Sequence, residues 1–145
     1  MKFLNEALLD AWLALSIAVN NEKMVSEMPY NEALICNILY RNQRQDKEQL
    51  LTATDLCRQT KMLKSQMNRT LQCMEEKDLI TRSRSSSDKR RVFITLNTEN
   101  RLYQDQHQKI LNIADTLIDK LGSEKAMEIA DLFTMIADTV NETMV

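Results

Sequence analysis

Apolar side chains recur at three- and four-residue spacing over three long stretches of the chain, a period that predicts amphipathic helices. The first stretch covers residues 1–22. The second ends near Leu121 and can be capped by Asn97 or Thr98, and the third has Ser123 as its cap. Gly122 separates the last two, at the position where a helix end favours glycine. Their apolar sides are too large for isolated helices, so we expect them to pack on each other or on a second subunit.

Between these helices the pattern changes to shorter elements. A buried helix is predicted over Glu32–Tyr40. Thr52–Asp55 has the form of a capping box, which opens a short helix to about Gln59. A turn follows, and the next helix covers about residues 63–77. The residues of this helix that are predicted to point inward are Met67, Leu71, Cys73 and Met74.

Residues 79–84 and 91–97 alternate between apolar and polar side chains, which predicts two β-strands. Three side chains of the second strand are expected to lie on the same face: Val92, Ile94 and Leu96. The polar connection over residues 85–90 contains no glycine, so we expect a longer loop there in place of a tight two-residue turn. The predicted fold class is therefore mainly α-helical with a small β-hairpin.

Composition narrows the class of protein. The 145 residues include one glycine and one proline, which argues against a β-sandwich, a β-barrel and a glycine-rich phosphate loop. No apolar run approaches the ~18 residues of a membrane span, and the charged N-terminus is not typical of a signal peptide. Three widely spaced cysteines favour a reducing compartment over a disulfide framework. We therefore predict a cytoplasmic protein with no membrane partner.

The overall net charge of −2 conceals a strongly basic segment. Between Arg58 and Arg91 the sequence has ten Lys/Arg against four Asp/Glu, so the rest of the chain is acidic. A local basic patch on an acidic body is typical of proteins that bind nucleic acid through one side. The alternative interpretation is an ordinary solvated surface, and the charge count alone does not decide between the two.

The polar side chains before the hairpin suit the major groove of double-stranded DNA, where amide and cationic groups distinguish base edges. Gln66 and Asn68 can pair with adenine. Lys64 and Arg69 can reach guanine or phosphate, and Ser65 near the helix N-terminus suits a phosphate contact. The residues of the hairpin that suit the narrower minor groove are Arg84, Lys89, Arg90 and Arg91. An ordinary surface helix would explain the polar residues, but not the basic hairpin that follows directly.

The order of elements resembles a winged helix-turn-helix, and the motifs are similar to those of the multiple-antibiotic-resistance regulator (MarR) family. Lys64–Ser65 matches the family's start of the recognition helix, and Glu76–Leu79 matches its closing acidic-Lys-x-Leu segment. Asp88–Leu96 is similar to the family's wing signature, Asp-x-Arg followed by an alternating strand. The similarity spans nearly all of the chain in element order and is sharpest over residues 56–97. Asp78 departs from it, because the family usually has glycine at this left-handed turn.

This resemblance implies that different segments of the chain have different roles. Residues 29–97 would form the winged helix-turn-helix lobe that binds DNA, and residues 1–28 with 98–145 a helical dimerisation region of the same structural domain. Arg90 would insert into the minor groove, with Asp88 holding this arginine in place. A homodimer would present two recognition helices about one DNA turn apart, so its operator should be a pseudo-palindrome. The implied function is ligand-responsive repression of transcription.

Members of the family often bind a small aromatic acid, or sense an oxidant, in a cleft between the dimer helices and the DNA-binding lobe. The residues of this chain that could line such a cleft are Trp12, Ser16, Met28, Tyr30 and Cys36. The alternative interpretation is that each of them belongs to the core. Cys36 is the candidate for redox sensing, although a structural thiol is favoured, and Cys57 and Cys73 are predicted to be core residues.

An enzymatic function is not predicted. The chain has no Ser/His/Asp order, no paired-histidine motif and no glycine-rich loop, and His107 is its only histidine. A metal-sensing site would need several such ligands, and no cofactor is expected. The remaining alternative to a DNA-binding regulator is a winged-helix module that binds another protein.

Overall fold

The computed structural model describes residues 2–20, 28–45 and 49–143. In chain order its elements are α1 (Lys2–Val19), α2 (Tyr30–Gln45), β1 (Leu51–Thr52), α3 (Ala53–Thr60), α4 (Lys64–Glu76), β2 (Ile80–Arg84), β3 (Val92–Leu96), α5 (Arg101–Leu121) and α6 (Ser123–Thr143). The predicted class, mainly α-helical with a small β-hairpin, is confirmed, and a third short strand joins the hairpin in an antiparallel sheet. The chain divides into two compact units, residues 1–107 and 108–145, so α5 begins in the first and ends in the second.

The sheet has three antiparallel strands in the order β1–β3–β2. β2 and β3 form the predicted hairpin, with Ile80 opposite Leu96 at its base. The sequence pattern does not predict β1, because two residues are too few to show an alternation. β1 pairs Leu51 with Ile94 on the other edge of β3, and this pairing ties the hairpin to the start of α3.

One hydrophobic core joins α2, α3, α4, the sheet and the start of α5. The α4 side chains that point into it are fully buried, as predicted: Met67, Leu71 and Met74. The prediction for Cys73 is wrong, because this thiol is exposed. Positions 67, 71 and 74 follow the i, i+4, i+7 stripe of a helix, and position 73 lies beside that stripe. Cys57 is half-buried and packs against the core.

Two sharp turns set the direction of α4. Lys61 adopts a φ of 64° in the turn before the helix, and Asp78 adopts a φ of 61° in the turn after it. This left-handed conformation is uncommon for residues other than glycine. The side-chain amide of Asn97 stabilises the second turn, because it donates to the Asp78 carbonyl and carboxylate oxygens at 3.1 and 3.3 Å. The chain therefore makes this left-handed turn with an aspartate whose conformation a side-chain contact stabilises.

α5 begins later than predicted. Its first residue is Arg101, and its cap is Asn100, whose side-chain oxygen accepts a hydrogen bond from the Tyr103 N–H at 3.0 Å. The prediction of Asn97 or its neighbour as the cap is wrong. Asn97 is used instead to hold the Asp78 turn, a contact between positions 19 residues apart that the local sequence does not reveal.

An ion pair between a buried carboxylate and an exposed lysine, which the sequence pattern also does not reveal, joins α2 to the end of α4. Glu32 is 5% exposed, and Lys77 Nζ donates to its two carboxylate oxygens at 2.9 and 3.1 Å. The two residues are 45 positions apart, so no helical spacing relates them. The pair holds the C-terminal end of α4 against the rest of the first unit.

Replacing Lys77 with methionine should lower the free energy of unfolding by about 1–3 kcal/mol, because the buried Glu32 carboxylate then lacks its charged partner. The double variant Glu32→Leu with Lys77→Met should recover most of this loss, since no uncompensated charge remains. Urea unfolding at one fixed protein concentration measures both effects. Arg82→Met is the matched control: it breaks the pair with the exposed Glu75 and should cost under ~1 kcal/mol. Equal losses for Lys77→Met and Arg82→Met would contradict this account.

Large apolar side chains of α1 and of the second unit are exposed in the single chain. Examples from α1 are Phe3, Leu8, Trp12 and Ile17, and examples from residues 108–143 are Leu117, Met127, Phe133 and Ile136. α6 has no buried residue. Gly122 follows α5 with a φ of 85°, the conformation for which glycine is predicted at this position. None of the described helices combines the length and the apolar character that crossing a bilayer requires.

Candidate nucleic-acid interface

α4 presents its polar side to solvent. The predicted recognition residues Lys64, Ser65, Asn68 and Arg69 are exposed, and Gln66 is half-buried. The core-facing stripe of the helix lies on the opposite side. Because the first-turn N–H groups of a helix have no partner within it, the start of α4 also offers backbone donors. The helix therefore combines amide, hydroxyl and cationic groups on one accessible surface.

The wing, which is the β2–β3 hairpin with its connecting loop, closes without a glycine. The Ser85 Oγ accepts hydrogen bonds from the N–H groups of Ser87 and Asp88, both at 3.2 Å. The Ser85 N–H donates to the Arg91 carbonyl oxygen at 2.9 Å, and the Arg91 N–H donates to the Asp88 carbonyl oxygen at 3.0 Å. A serine side chain thus stabilises the tip that the sequence predicts only as a longer polar loop.

The cations of the wing are held in different ways. The Arg90 side chain is 92% exposed, and its Nε donates to Asp88 Oδ1 at 3.3 Å. The Arg91 guanidinium lies 5.5 Å from the centre of the Phe93 ring on β3. Arg84 donates to the Lys89 carbonyl oxygen at 2.9 Å, so part of its hydrogen-bonding capacity closes the loop. The Lys89 side chain is exposed.

α3, α4 and the wing surround an open cavity of about 500 Å³. The basic side chains that line it are Arg58, Lys64, Arg82, Arg90 and Arg91. Asn68 of α4 is also in the lining. Sequence reasoning does not single out Arg58 and Arg82, although both belong to the basic segment and could have been found by following the charge count residue by residue. The fold gathers cations from three elements on one concave surface.

Asp55 is the acidic side chain of this cavity, and it also starts α3. Its carboxylate accepts from the Thr52 N–H at 2.9 Å, and the Thr52 hydroxyl accepts from the Asp55 N–H at 3.2 Å, which confirms the predicted capping box. Burial would raise the pKa of Asp55, but the Thr52 hydrogen bonds and the charges of Arg58 and Arg91 hold it below its ordinary value. The carboxylate is therefore ionised at neutral pH, and it pairs with Arg58 at 3.3 Å.

The five residues predicted for an effector cleft are divided between the core and the surface. Met28 and Cys36 are buried in the core. Trp12 and Tyr30 are exposed, and Ser16 is half-buried. Because two of them lie inside and two face solvent, the five do not share one surface in the described part of the single chain. Their role as lining residues stays a prediction.

Sequence reasoning misses an aromatic cluster between α2 and α5. The ring centroids of Tyr40, Tyr103 and His107 are 4.6 to 6.3 Å apart, and the Arg44 guanidinium lies 5.3 Å from the Tyr40 centroid. Among the described residues, the Tyr103 hydroxyl and His107 Nδ1 are buried and have no hydrogen-bond partner. Burial raises the pKa of Tyr103 to about 12, and the nearby Tyr40 and Cys36 side chains add to this effect through their charge interaction. The Tyr103 hydroxyl therefore keeps its proton at neutral pH. Buried polar atoms without partners are uncommon, which makes this cluster a candidate binding site.

Cys36 has the properties of a structural thiol. Burial first, and then the negative charge of Glu32, raises the pKa of Cys36 to about 12. A thiol that stays protonated is a poor nucleophile, because the thiolate is the reactive form. This argues against Cys36 as a redox sensor.

A maleimide at neutral pH should therefore alkylate the exposed Cys73 in the folded protein and leave Cys36 unmodified until the protein unfolds. Peptide mapping by mass spectrometry, with and without urea, measures the order of reaction. Cys36→Ser is the control that assigns the slow site. Modification of Cys36 before Cys73 in the folded protein would contradict this prediction and favour the redox alternative.

Residues 27–91 match the model of the MarR family. An HTH-type transcriptional regulator from Neisseria gonorrhoeae, FarR, is 30% identical over 84 residues, which are 57% of this chain and 58% of that protein. The similarity therefore spans less than two thirds of that relative's length.

Solved structures extend the likeness to nearly the whole chain. The NadR complex with 4-hydroxyphenylacetate is 26% identical, with a TM-score of 0.69 and 92% of each chain covered. A mutant of MepR from a multidrug-resistant clinical isolate of S. aureus is 20% identical, with a TM-score of 0.69, and the match covers 92% of this chain and 96% of that one. A complex of S. aureus MepR with DNA is also 20% identical, with a TM-score of 0.59 and coverages of 92% and 98%. The likeness to MepR concerns the fold.

Proposed function

We propose that the chain, whose residues 27–91 match the model of the MarR family, is a winged-helix transcription regulator of that family that represses transcription by binding double-stranded DNA as a homodimer. The observation that carries this proposal is the convergence of α3, α4 and the wing on one concave surface with five cationic side chains. Such a surface suits the phosphate backbone on both sides of a groove. The protein would act in the cytoplasm, without catalytic activity.

In this proposal α4 and the wing read different grooves. α4 lies in the major groove, where Gln66 and Asn68 contact adenine, and Lys64 and Arg69 contact guanine or phosphate. Ser65 and the free N–H groups of the first turn bind a phosphate. The wing follows the minor groove, into which the exposed Arg90 inserts its guanidinium. Arg84, Lys89 and Arg91 support the wing through contacts with the backbone of DNA, and Asp88 orients Arg90.

The homodimer would form through residues 1–28 and 98–145, and residues 29–97 would be the DNA-binding lobe. The support for this dimer is that large apolar side chains of α1 and α6 are exposed to water in the single chain. Surfaces of this kind on a monomer mark contacts with other proteins. A two-fold axis would place the two copies of α4 about one DNA turn apart, on a pseudo-palindromic operator.

A salt titration of duplex binding tests the proposed function. Affinity for a random-sequence duplex should fall steeply and linearly in a log–log plot of binding constant against salt, because each neutralised phosphate releases counterions. Selection from random DNA should then return a pseudo-palindrome that binds more tightly than the random duplex. Absent or salt-independent binding would favour the alternative, a winged-helix module that binds another protein.

The aromatic cluster supports a second part of the proposal, a small aromatic anion as effector. The Tyr103 hydroxyl and His107 Nδ1 provide hydrogen-bonding groups, the Tyr40 ring provides a stacking surface, and Arg44 provides a positive charge. This chemistry suits a phenol-like ring that carries a carboxylate. The solved complex of NadR, which contains 4-hydroxyphenylacetate, lends further support. Occupation of the site would release the repressor from DNA.

Addition of 4-hydroxyphenylacetate at millimolar concentration should raise the thermal midpoint of the protein by a few degrees, since the ligand binds only the folded state. The same addition should weaken binding of the selected duplex. Tyr103→Phe removes one hydroxyl without changing the ring, and it should abolish at least half of the thermal shift. Cys57→Ser, in the same unit but outside the cluster, is the control. An undiminished shift in Tyr103→Phe would place the effector elsewhere.

A further inference from the structure

Leu63 occupies an unusual position at the start of α4. It is the N-cap residue of the helix, and its side chain makes no capping hydrogen bond. Leucine is among the poorest N-cap residues, because it has no oxygen to accept a bond from the first turn. The neighbouring helices of the same unit are capped in the ordinary way, α3 by Thr52 and α5 by Asn100. The start of α4 therefore lacks a stabilising contact that the starts of α3 and α5 have.

The leucine side chain also contributes nothing to the core. It is 73% exposed, whereas the residues around it on the core side, Met62 and Met67, pack against the core or are buried in it. A singly exposed leucine is common on protein surfaces. This one, however, stands directly before Lys64 and Ser65, in a row of otherwise polar and cationic side chains. It is thus an apolar group on a surface whose proposed partner is a polyanion.

The major groove has one apolar feature that such a side chain can recognise. Thymine carries a C5 methyl group at the groove edge, whereas the other bases present hydrogen-bond donors and acceptors there. In helix-turn-helix proteins the N-terminal residues of the recognition helix contact the base edges. An exposed leucine at the N-cap of α4 is suited to a van der Waals contact with that methyl group.

We propose that Leu63 is a specificity-determining residue that selects thymine at one position of each operator half-site, through contact with the C5 methyl group. The proposal rests on the proposed function, because it requires α4 to lie in the major groove. It adds an apolar element to a recognition surface that otherwise reads bases through hydrogen bonds. The missing cap is consistent with this role, since a serine at position 63 would stabilise the helix but has no methyl group with which to make the contact.

Deoxyuridine provides the test, because it differs from thymidine only by the missing methyl group. The duplex selected by the wild-type protein is prepared in versions that replace each thymine in turn, at symmetric positions of both half-sites. One replacement should weaken wild-type binding about fourfold per half-site, the value of one buried methyl group. The Leu63→Ala protein should bind the thymidine and deoxyuridine versions of that duplex equally well.

Two further variants separate the contact with the thymine methyl group from any effect of Leu63 on the stability of the fold. Leu63→Ser should raise the thermal midpoint through a restored cap and should still lose the methyl dependence. Leu50→Ala, at another exposed leucine of the same unit, should leave the methyl dependence unchanged. If wild type and Leu63→Ala lose the same affinity with every deoxyuridine duplex, the role of Leu63 is overturned while DNA binding stands. If neither protein binds any duplex, the proposed function and this inference fall together.

Discussion

Alanine in place of Arg90 is expected to weaken binding of the selected duplex by about 1–3 kcal/mol, roughly five- to 150-fold in Kd. The Arg90 side chain is 92% exposed and pairs with Asp88 on the surface, so it is available to a partner at little energetic cost. The minor groove concentrates negative potential, and a guanidinium inserted there gains more than one on an open surface. The substitution should leave the thermal midpoint nearly unchanged, because an exposed ion pair contributes little to stability.

Fluorescence anisotropy over a range of salt concentrations measures this effect. The slope of log affinity against log salt should also fall, by about one for each phosphate that the variant no longer neutralises. Arg101→Ala, which removes an exposed arginine at the start of α5, is the matched control and should change affinity less than threefold. Asp88→Asn keeps the size of the side chain but weakens its hold on Arg90, so an intermediate loss is expected. Equal affinities of wild type and Arg90→Ala at moderate salt would exclude the wing from the mechanism.

Replacing Phe133 with aspartate is expected to dissociate the proposed homodimer and to lower affinity for the selected duplex by roughly 10²–10⁴-fold. Phe133 is a large apolar side chain on α6, and it is 53% exposed in the single chain. A buried charge without a partner destabilises an interface strongly. Once the two lobes separate, each must bind its half-site independently, and the gain from simultaneous binding is lost.

Analytical ultracentrifugation and the duplex titration measure the two consequences on the same samples. Asp131→Lys is the control, because position 131 lies on the opposite side of α6, where a polar residue is expected to face water. It should leave the sedimentation coefficient unchanged. A Phe133→Asp protein that remains dimeric and binds the duplex normally would show that α6 is not part of the subunit contact.

The sequence predicts the helices and the hairpin well, because their signals are local. The capping box of α3 lies within four residues, and the inward stripe of α4 repeats within two helical turns. The basic segment and the Asp-x-Arg motif of the wing are contiguous as well. Such features depend on neighbours along the chain, which the sequence displays directly. The DNA contacts assigned to these residues stay a proposal, which the Arg90 experiment tests.

Other features depend on residues that are distant in sequence, and they could not be predicted in this way. The Glu32–Lys77 pair spans 45 positions, and the aromatic cluster joins Tyr40 on α2 to Tyr103 and His107 on α5. Before the helices pack, nothing distinguishes these polar and aromatic residues from others on the same helices. Burial is likewise a property of the folded chain: Met28 and Cys36, two of the candidate effector residues, lie in the core, and their role as lining residues stays a prediction.

By itself, the sequence determined the class of fold, the order of its helices and hairpin strands, and the basic segment that ends in the wing. Helix periodicity, capping and strand alternation are short-range properties, so a single chain is sufficient to read them. Only the tertiary structure decided which cations share a surface, which thiol is protected and which polar atoms are buried without partners. Packing brings distant positions together and removes them from water. Exposure, pKa and the shape of the interface therefore follow from the folded chain as a whole.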